Sequence, residues 1–226
     1  MSIFRSKREP KGSGEVLNDL PLENDPVKDF FYFVWDLLKT GIIVFIIAFL
    51  IRYFLIQPFI VEGSSMLPNY VDQEYLLAEK LSFALSAPKR GDVVIFKYPN
   101  NPSINYIKRV IGLPGETVEI ANNKVTIFNK DHLNGVVLNE DYLPGSTQTL
   151  TAENKIFSTN LSGSTYFVMG DNREHSSDSR EWGALPRANI VGRSWLTVKP
   201  FDRFGIQHRV SYPNISILLN KYLALE

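Results

Sequence analysis

Two rhythms divide the chain. Residues 41–51 are apolar at every position, and after Arg52 the run resumes through Tyr53, Phe54, Leu55 and Ile56 until Gln57 and Pro58 stop it. Residues 37–56 carry no polar stripe at helical spacing, which separates them from the one-sided pattern of a soluble helix. At about 1.5 Å per residue this stretch covers the roughly 30 Å hydrocarbon layer, so a transmembrane anchor is predicted over residues 37–57. Phe30, Phe31, Tyr32, Phe33 and Trp35 precede it, aromatics of the kind enriched at the membrane–water interface. From residue 74 onward the rhythm shortens. Residues 74–81, 92–98, 106–113, 117–120, 124–128, 165–169 and 190–198 read as strands separated by Gly, Pro and Asn. Asn122-Asn123, Asn134-Gly135 and Pro144-Gly145 read as turns. Residues 215–225 are too short to span a bilayer and read as a helix packed on the domain or lying at the interface.

With 226 residues and 44% hydrophobic positions, the chain can form one domain, or one domain with a large insertion. Lys plus Arg equal Asp plus Glu at 24 each, so nothing draws it generally to nucleic acid, which is not an expected partner. The lack of cysteine excludes disulfides, thiol catalysis and cysteine-ligated metals. His132, His175 and His208 show no ligand spacing, so neither a metal nor a cofactor is expected. Residues 1–29 mix charge with Gly, Ser and Pro without apolar periodicity, and with the aromatic lead-in they make a flexible arm of residues 1–36. Arg5, Lys7, Arg8, Lys11, Lys28 and Lys39 come before the apolar run, which places the N-terminus in the cytoplasm and the rest outside. No small-x-small site follows the run, so it is read as a retained anchor rather than a cleaved leader; Arg52 lies near enough to its end to snorkel.

Candidate chemistry begins at Ser64 and Ser65, adjacent hydroxyls in a turn bracketed by Gly63 and Pro68. A serine needs a base to become a nucleophile. Leu67 stands where a Gly-x-Ser-x-Gly elbow needs its second glycine, which excludes that motif. Ser86-Ala87-Pro88-Lys89 matches Ser-x-x-Lys, but Pro88 and Gly91 oppose the helix that would bring lysine over serine. In Tyr106-Ile107-Lys108-Arg109-Val110, strand alternation sets Lys108 on one face with Tyr106 and Val110. An ammonium among apolar neighbours loses its proton below the usual value of about 10.4, which makes Lys108 a candidate base; a solvated strand lysine is the other reading of this run.

Three stretches jointly resemble the bacterial type I signal peptidases, or leader peptidases. Ser65-Met66-Leu67-Pro68 matches the family's nucleophile box. Tyr106 to Gly115, preceded by Arg90-Gly91-Asp92-Val93-Val94-Ile95-Phe96, matches its lysine box. Gly170-Asp171-Asn172-Arg173-Glu174-His175-Ser176-Ser177-Asp178-Ser179-Arg180 carries every fixed position of its third box. The resemblance implies Ser65 as nucleophile and Lys108 as general base, with Ser176 hydrogen-bonded to the lysine amine. Asp178 and Arg180 would pair to fix their loop, and His175 would be a bystander. Some members place a hydroxyl two residues before the nucleophile to help hold the oxyanion; Gly63 stands there in this chain. The Ser65 N–H is one candidate donor, and the second is either a backbone group near Gly63 or the Ser64 hydroxyl.

The implied fold is mostly β: a catalytic domain of coiled antiparallel sheets, residues 58–114 and 165–226, with a smaller β-domain inserted at residues 115–164. The implied function is removal of N-terminal signal peptides from secreted preproteins, after small residues at the first and third positions before the cut, by a monomeric single-pass enzyme whose partners are those preproteins and the bilayer. Phe59-Ile60 and Phe83-Ala84-Leu85 are candidates either for an apolar rim on the membrane or for core. A self-cleaving repressor-type Ser/Lys protease would need a DNA-binding module, and none is legible. An anchored β-domain with a degenerate site is the non-enzymatic alternative.

Overall fold

A computed structural model of the chain describes residues 25–50, 52, 55–151, 155–212 and 215. The chain forms two compact units, residues 1–47 and 48–226.

Helix α1 covers Pro26–Leu50. The Asp25 carboxylate accepts from the N–H groups of Val27 (3.1 Å) and Lys28 (3.4 Å), and Pro26 fills the first helical position, where its missing N–H costs nothing. This Asp-Pro start sets the helix well before residue 37, so residues 26–36 are helical rather than part of an arm. Residues 1–24 of the expected arm lie outside the described residues. At the other end Ile56 opens strand β1 (Ile56–Ile60), not the last turn of the helix. Hydropathy alone does not separate the two. With 25 residues and an unbroken apolar stretch over its second half, α1 is long and apolar enough to cross a membrane.

The second unit is built on two antiparallel sheets. The larger contains β1, β2 (Tyr75–Glu79), β3 (Val93–Tyr98), β4 (Asn101–Gly112), β9 (Thr165–Met169), β10 (Leu185–Pro186), β11 (Ile190–Lys199) and β12 (Gly205–Ile206). Its order is β1-β2-β11-β3-β4-β9-β10, with β12 on β11. The smaller contains β5 (Thr117–Ala121), β6 (Lys124–Asn129), β7 (His132–Val137) and β8 (Phe157–Asn160), in the order β7-β6-β5-β8. Two one-turn helices, α2 (Leu81–Leu85) and α3 (Ser179–Trp182), complete the described elements that matter to the site. The mostly β fold with antiparallel sheets follows the alternation in the sequence.

The smaller sheet lies within residues 115–164, yet it does not keep a core to itself. Val118, Ile120, Val125 and Ile127 pack with Ile111 of β4 and with Phe167 and Met169 of β9 in one buried cluster. Asn122 and Asn123 adopt positive φ (50° and 61°) in a two-residue turn between β5 and β6, the conformation Asn tolerates best after Gly. Asn134-Gly135 is not a turn. It lies inside β7, where a Cβ on Gly135 would come within 2.7 Å of the Phe128 ring, so this glycine admits a neighbouring side chain rather than reversing the chain. Apart from Ile215, the expected C-terminal helix lies outside the described residues.

Candidate active site

The turn after β1 is held from below. Met66 is fully buried among Val61, Tyr70, Leu76 and Val93, a burial that stabilises the turn by about 1.5–3 kcal/mol. Leu67 N–H donates to Ser64 O (3.1 Å) and Tyr70 N–H to Met66 O (2.9 Å). Gly63 takes φ +91°, a conformation that side chains disfavour, and its N–H reaches Asp72 Oδ1 at 2.7 Å. The outcome is a rigid turn with Ser65 half-buried and Ser64 exposed, both on a cleft of about 320 Å³.

Lys108 enters from β4, where it lies opposite Val94 of β3. Its side chain is only 4% exposed, and Nζ lies 2.6 Å from Ser65 Oγ. Burial pushes the ammonium down to about 8. The Asp178 and Asp171 carboxylates resist that fall and Arg180 adds to it, but desolvation prevails. The Tyr106 ring lies 5.3 Å from the amine. An amine near 8 has a usable neutral fraction at neutral pH, where an ordinary lysine has almost none.

Behind the pair, Arg109 points the other way and binds Asp171 through two hydrogen bonds, Nε to Oδ1 at 2.8 Å and Nη2 to Oδ2 at 2.6 Å. Both are buried, and Arg109 stacks 4.4 Å from the Tyr142 ring. Asn69, four residues past Ser65, donates to the same carboxylate at 2.9 Å. Arg173 is the largest fully buried side chain; it donates to Glu140, Thr149, Tyr142 OH and Gly170 O. Asp178 pairs with Arg180 through two 2.8 Å hydrogen bonds and accepts from Gly170 N–H at 3.0 Å. The Ser65 turn, the Lys108 strand and the loop of residues 170–180 are thus joined by charged hydrogen bonds, each stronger than its neutral counterpart.

Over residues 34–198 the chain matches the family model for signal peptidase, peptidase S26. It is 36% identical over 176 residues to the signal peptidase I of Leptolyngbya laminosa, covering 74% of this chain and 81% of that one. The chain belongs to the signal peptidase family, peptidase S26. The signal peptidase I of Bacillus amyloliquefaciens is 38% identical over 177 residues, covering 74% of this chain and 86% of its own. A crystal structure of a signal peptidase I from Enterococcus faecalis overlaps 48% of this chain and 97% of its own, with 32% identity and a TM-score of 0.39. This chain is accordingly an enzyme, a hydrolase of that family.

Of the residues named from the sequence, this peptidase brings Ser65 and Lys108 into contact and pairs Asp178 with Arg180. Ser176 is different: its hydroxyl is buried and has no hydrogen-bond partner, so the expected bond to the lysine amine is not made. The amine is turned to Ser65, and Ser176 packs at Gly170 instead. A Cβ on Gly170 would lie 2.2 Å from Ser176 Oγ and 2.4 Å from Ser65 O, so only glycine fits between them. Ser64 lines the cleft; among the described residues nothing accepts from the Ser65 N–H. His175 also lines the cleft and is exposed. Phe59 and Ile60 line it as well, Phe83 is buried, and Leu85 is 79% exposed. The Ser86-to-Lys89 motif forms no dyad: Ser86 Oγ donates to Ser82 O, and Lys89 is exposed.

Sequence reasoning passed over Asn69, and it quoted Arg109, Asp171, Asn172 and Arg173 only as positions of the family boxes, with no role assigned to them. Arg109 carried a signal, a charge in the middle of an apolar strand, which must find a buried partner. Asn69 carried none.

Proposed function

We propose that the peptidase is a membrane-anchored serine endopeptidase that removes N-terminal signal peptides from secreted preproteins, with Ser65 as nucleophile and Lys108 as general base. One observation carries this reading: a buried lysine amine near 8 in 2.6 Å contact with a turn-borne serine hydroxyl. As a free amine, Lys108 takes the Ser65 proton while Oγ attacks the scissile carbonyl. It then returns that proton to the departing amine, leaving an acyl-serine, and deprotonates the water that hydrolyses it. The Ser65 N–H and the Ser64 hydroxyl donate to the tetrahedral oxygen. Asp178 and Arg180 hold the loop.

The cleft suits an extended peptide. β1 is the edge strand of its sheet, and Phe59, Ile60, Ile104 and Ile107 give the cleft apolar walls, so a substrate adds as a further strand with its side chains in shallow pockets. Such pockets favour small side chains at the first and third positions before the cut. One chain holds the whole dyad, so a monomer suffices, and the basic residues ahead of α1 set the domain on the extracytoplasmic side. Incubation with a fluorogenic Ala-x-Ala peptide is expected to give cleavage after the second alanine, none after a bulky residue there, and none from Ser65→Ala. Protease added to spheroplasts is expected to digest the domain after Pro58. Cleavage by Ser65→Ala, or protection of the domain, would refute the respective half of the proposal.

A further inference from the structure

The proposed chemistry requires the Ser65 N–H to face the substrate carbonyl oxygen, and nothing within the turn itself fixes that direction. The Leu67 N–H bond to Ser64 O closes the turn at 3.1 Å, but a single contact leaves the peptide between Ser64 and Ser65 free to pivot. A second bond comes from outside. Asn172 Nδ2 donates to Ser64 O at 3.0 Å, and the Asn172 backbone N–H donates to Ser65 O, also at 3.0 Å. One residue therefore grips two successive carbonyls on either side of the nucleophile.

Covalent geometry carries the effect to the cleft. In a trans peptide the carbonyl oxygen and the amide hydrogen lie in one plane and point in opposite directions within it. Gly63, Ser64, Ser65 and Lys108 line the cleft, and Asn172 does not. Pulling Ser64 O toward Asn172 thus turns the Ser65 N–H toward the cleft, where it has no other partner among the described residues. Asn172 is itself well anchored. Its neighbours are Asp171 and Arg173, 1% and 2% exposed and each held by several hydrogen bonds. A donor fixed in advance needs no reorganisation as charge develops, which is the source of oxyanion stabilisation.

We propose that Asn172 is a positioning residue for the oxyanion site: its side-chain amide holds the Ser64 carbonyl so that the Ser65 N–H is aimed at the tetrahedral oxygen. This rests on the reading of Ser65 as nucleophile. Removing an oxyanion donor costs about 10²–10³ in kcat; misaiming one that remains is expected to cost about ten- to a hundredfold.

The test uses full-length protein in detergent and compares Asn172→Ala and Asn172→Asp with the native chain. Asparagine and aspartate have the same shape, but a carboxylate faces the carbonyl with no proton to donate, so the Asp variant carries the test if the Ala variant folds poorly. The expected result is a ten- to hundredfold lower kcat with KM within about twofold. Affinity for a peptide boronate ending in alanine, which forms a tetrahedral adduct on Ser65, falls by the same factor. The acid limb of the pH profile stays in place in Asn172→Ala, which leaves the charges around the Lys108 amine unaltered, whereas the added carboxylate of Asn172→Asp moves it to higher pH. An unchanged kcat, a displaced acid limb in Asn172→Ala, or boronate affinity that holds while kcat falls would each overturn the proposal. So would weaker binding of uncut substrate in a Ser65→Ala background, which would mark a structural role. Cleavage by Ser65→Ala itself would instead refute the underlying assignment of the nucleophile.

Discussion

The smaller sheet and the region around Ser65 and Lys108 are held together by different materials, although the larger sheet also has apolar clusters of its own. The smaller one is held by apolar burial: Val118, Ile120, Val125 and Ile127 are at most 1% exposed, and alternate residues of β5 face inward. Around the dyad the interior contains Lys108, Arg109, Asp171, Arg173 and Asp178, all nearly inaccessible. Apolar packing is tolerant of direction, because a cluster of methyl groups is satisfied by many small displacements. Paired charges are not: a buried guanidinium misplaced by an ångström loses hydrogen bonds it cannot recover from water. The charged region costs more to desolvate and gives positional control in exchange. The smaller sheet meets the other across Ile111, Phe167 and Met169, the reverse side of the strands that carry Lys108 and lead into residue 170, and so contributes stiffness to them.

That contrast breaks most visibly at the base. Lys108→Arg keeps the positive charge but cannot release its proton near working pH, so cleavage of the fluorogenic peptide is expected to vanish as fully as in Ser65→Ala. In the native chain, the buried amine is charged below about 8 and neutral above it, so kcat/KM falls as pH drops through that value. His175→Ala serves as the control, with a rate close to that of the native chain. Substantial turnover by Lys108→Arg would move the base elsewhere.

Asp171→Ala tests the charged region as a scaffold. It strands Arg109 in the interior, and breaking such a pair is expected to cost about 3–5 kcal/mol in urea unfolding, with activity lost alongside stability. A stable but inactive protein would show the pair to be a matter of alignment alone. Ile127→Ala probes the other side. A cavity in the apolar cluster should cost about 2–5 kcal/mol, while kcat measured below the unfolding transition stays near the native value. If kcat fell as well, the smaller sheet would be setting the geometry of the dyad. Ser64→Ala is expected to lower kcat by about 10² with stability unchanged. An unaltered rate would assign the second oxyanion donor to the backbone.

Alternation marked β2, β5 and β6, which bury one face, while β3 and β9, buried on both faces, were legible as short apolar runs between turn residues. Ser65 and Lys108 were legible for a different reason: three stretches together resemble the family boxes, whereas the serine turn alone is a common one and the strand lysine alone also allowed a solvated reading. What escaped were features that depend on distant partners. The Asp25-Pro26 start of α1 is a local signal, but it was outweighed by the apolar run behind it. Ile56 read as helix because apolarity does not distinguish a helix end from a strand start. Asn134-Gly135 imitated a turn, and only the Phe128 ring across the sheet explains the glycine. Asn69 and Asn172 act through contacts 102 and 108 residues away, for which no spacing rule exists.

Those separations also set a sequence in time. A chain made from its N-terminus releases Ser65 first, Lys108, the proposed base, 43 residues later, and the loop that braces both more than 100 residues later. Arg173 cannot settle until Glu140 and Thr149, 33 and 24 residues behind it, have folded into place. The last long clasps, Arg209 on Asp92 and Thr197 on Glu74, close over 117 and 123 residues. Such non-local contacts form late. On the proposed mechanism, a half-emerged chain therefore carries the serine without its base beside it, and the capacity to cut peptides appears only when nearly the whole domain has been delivered.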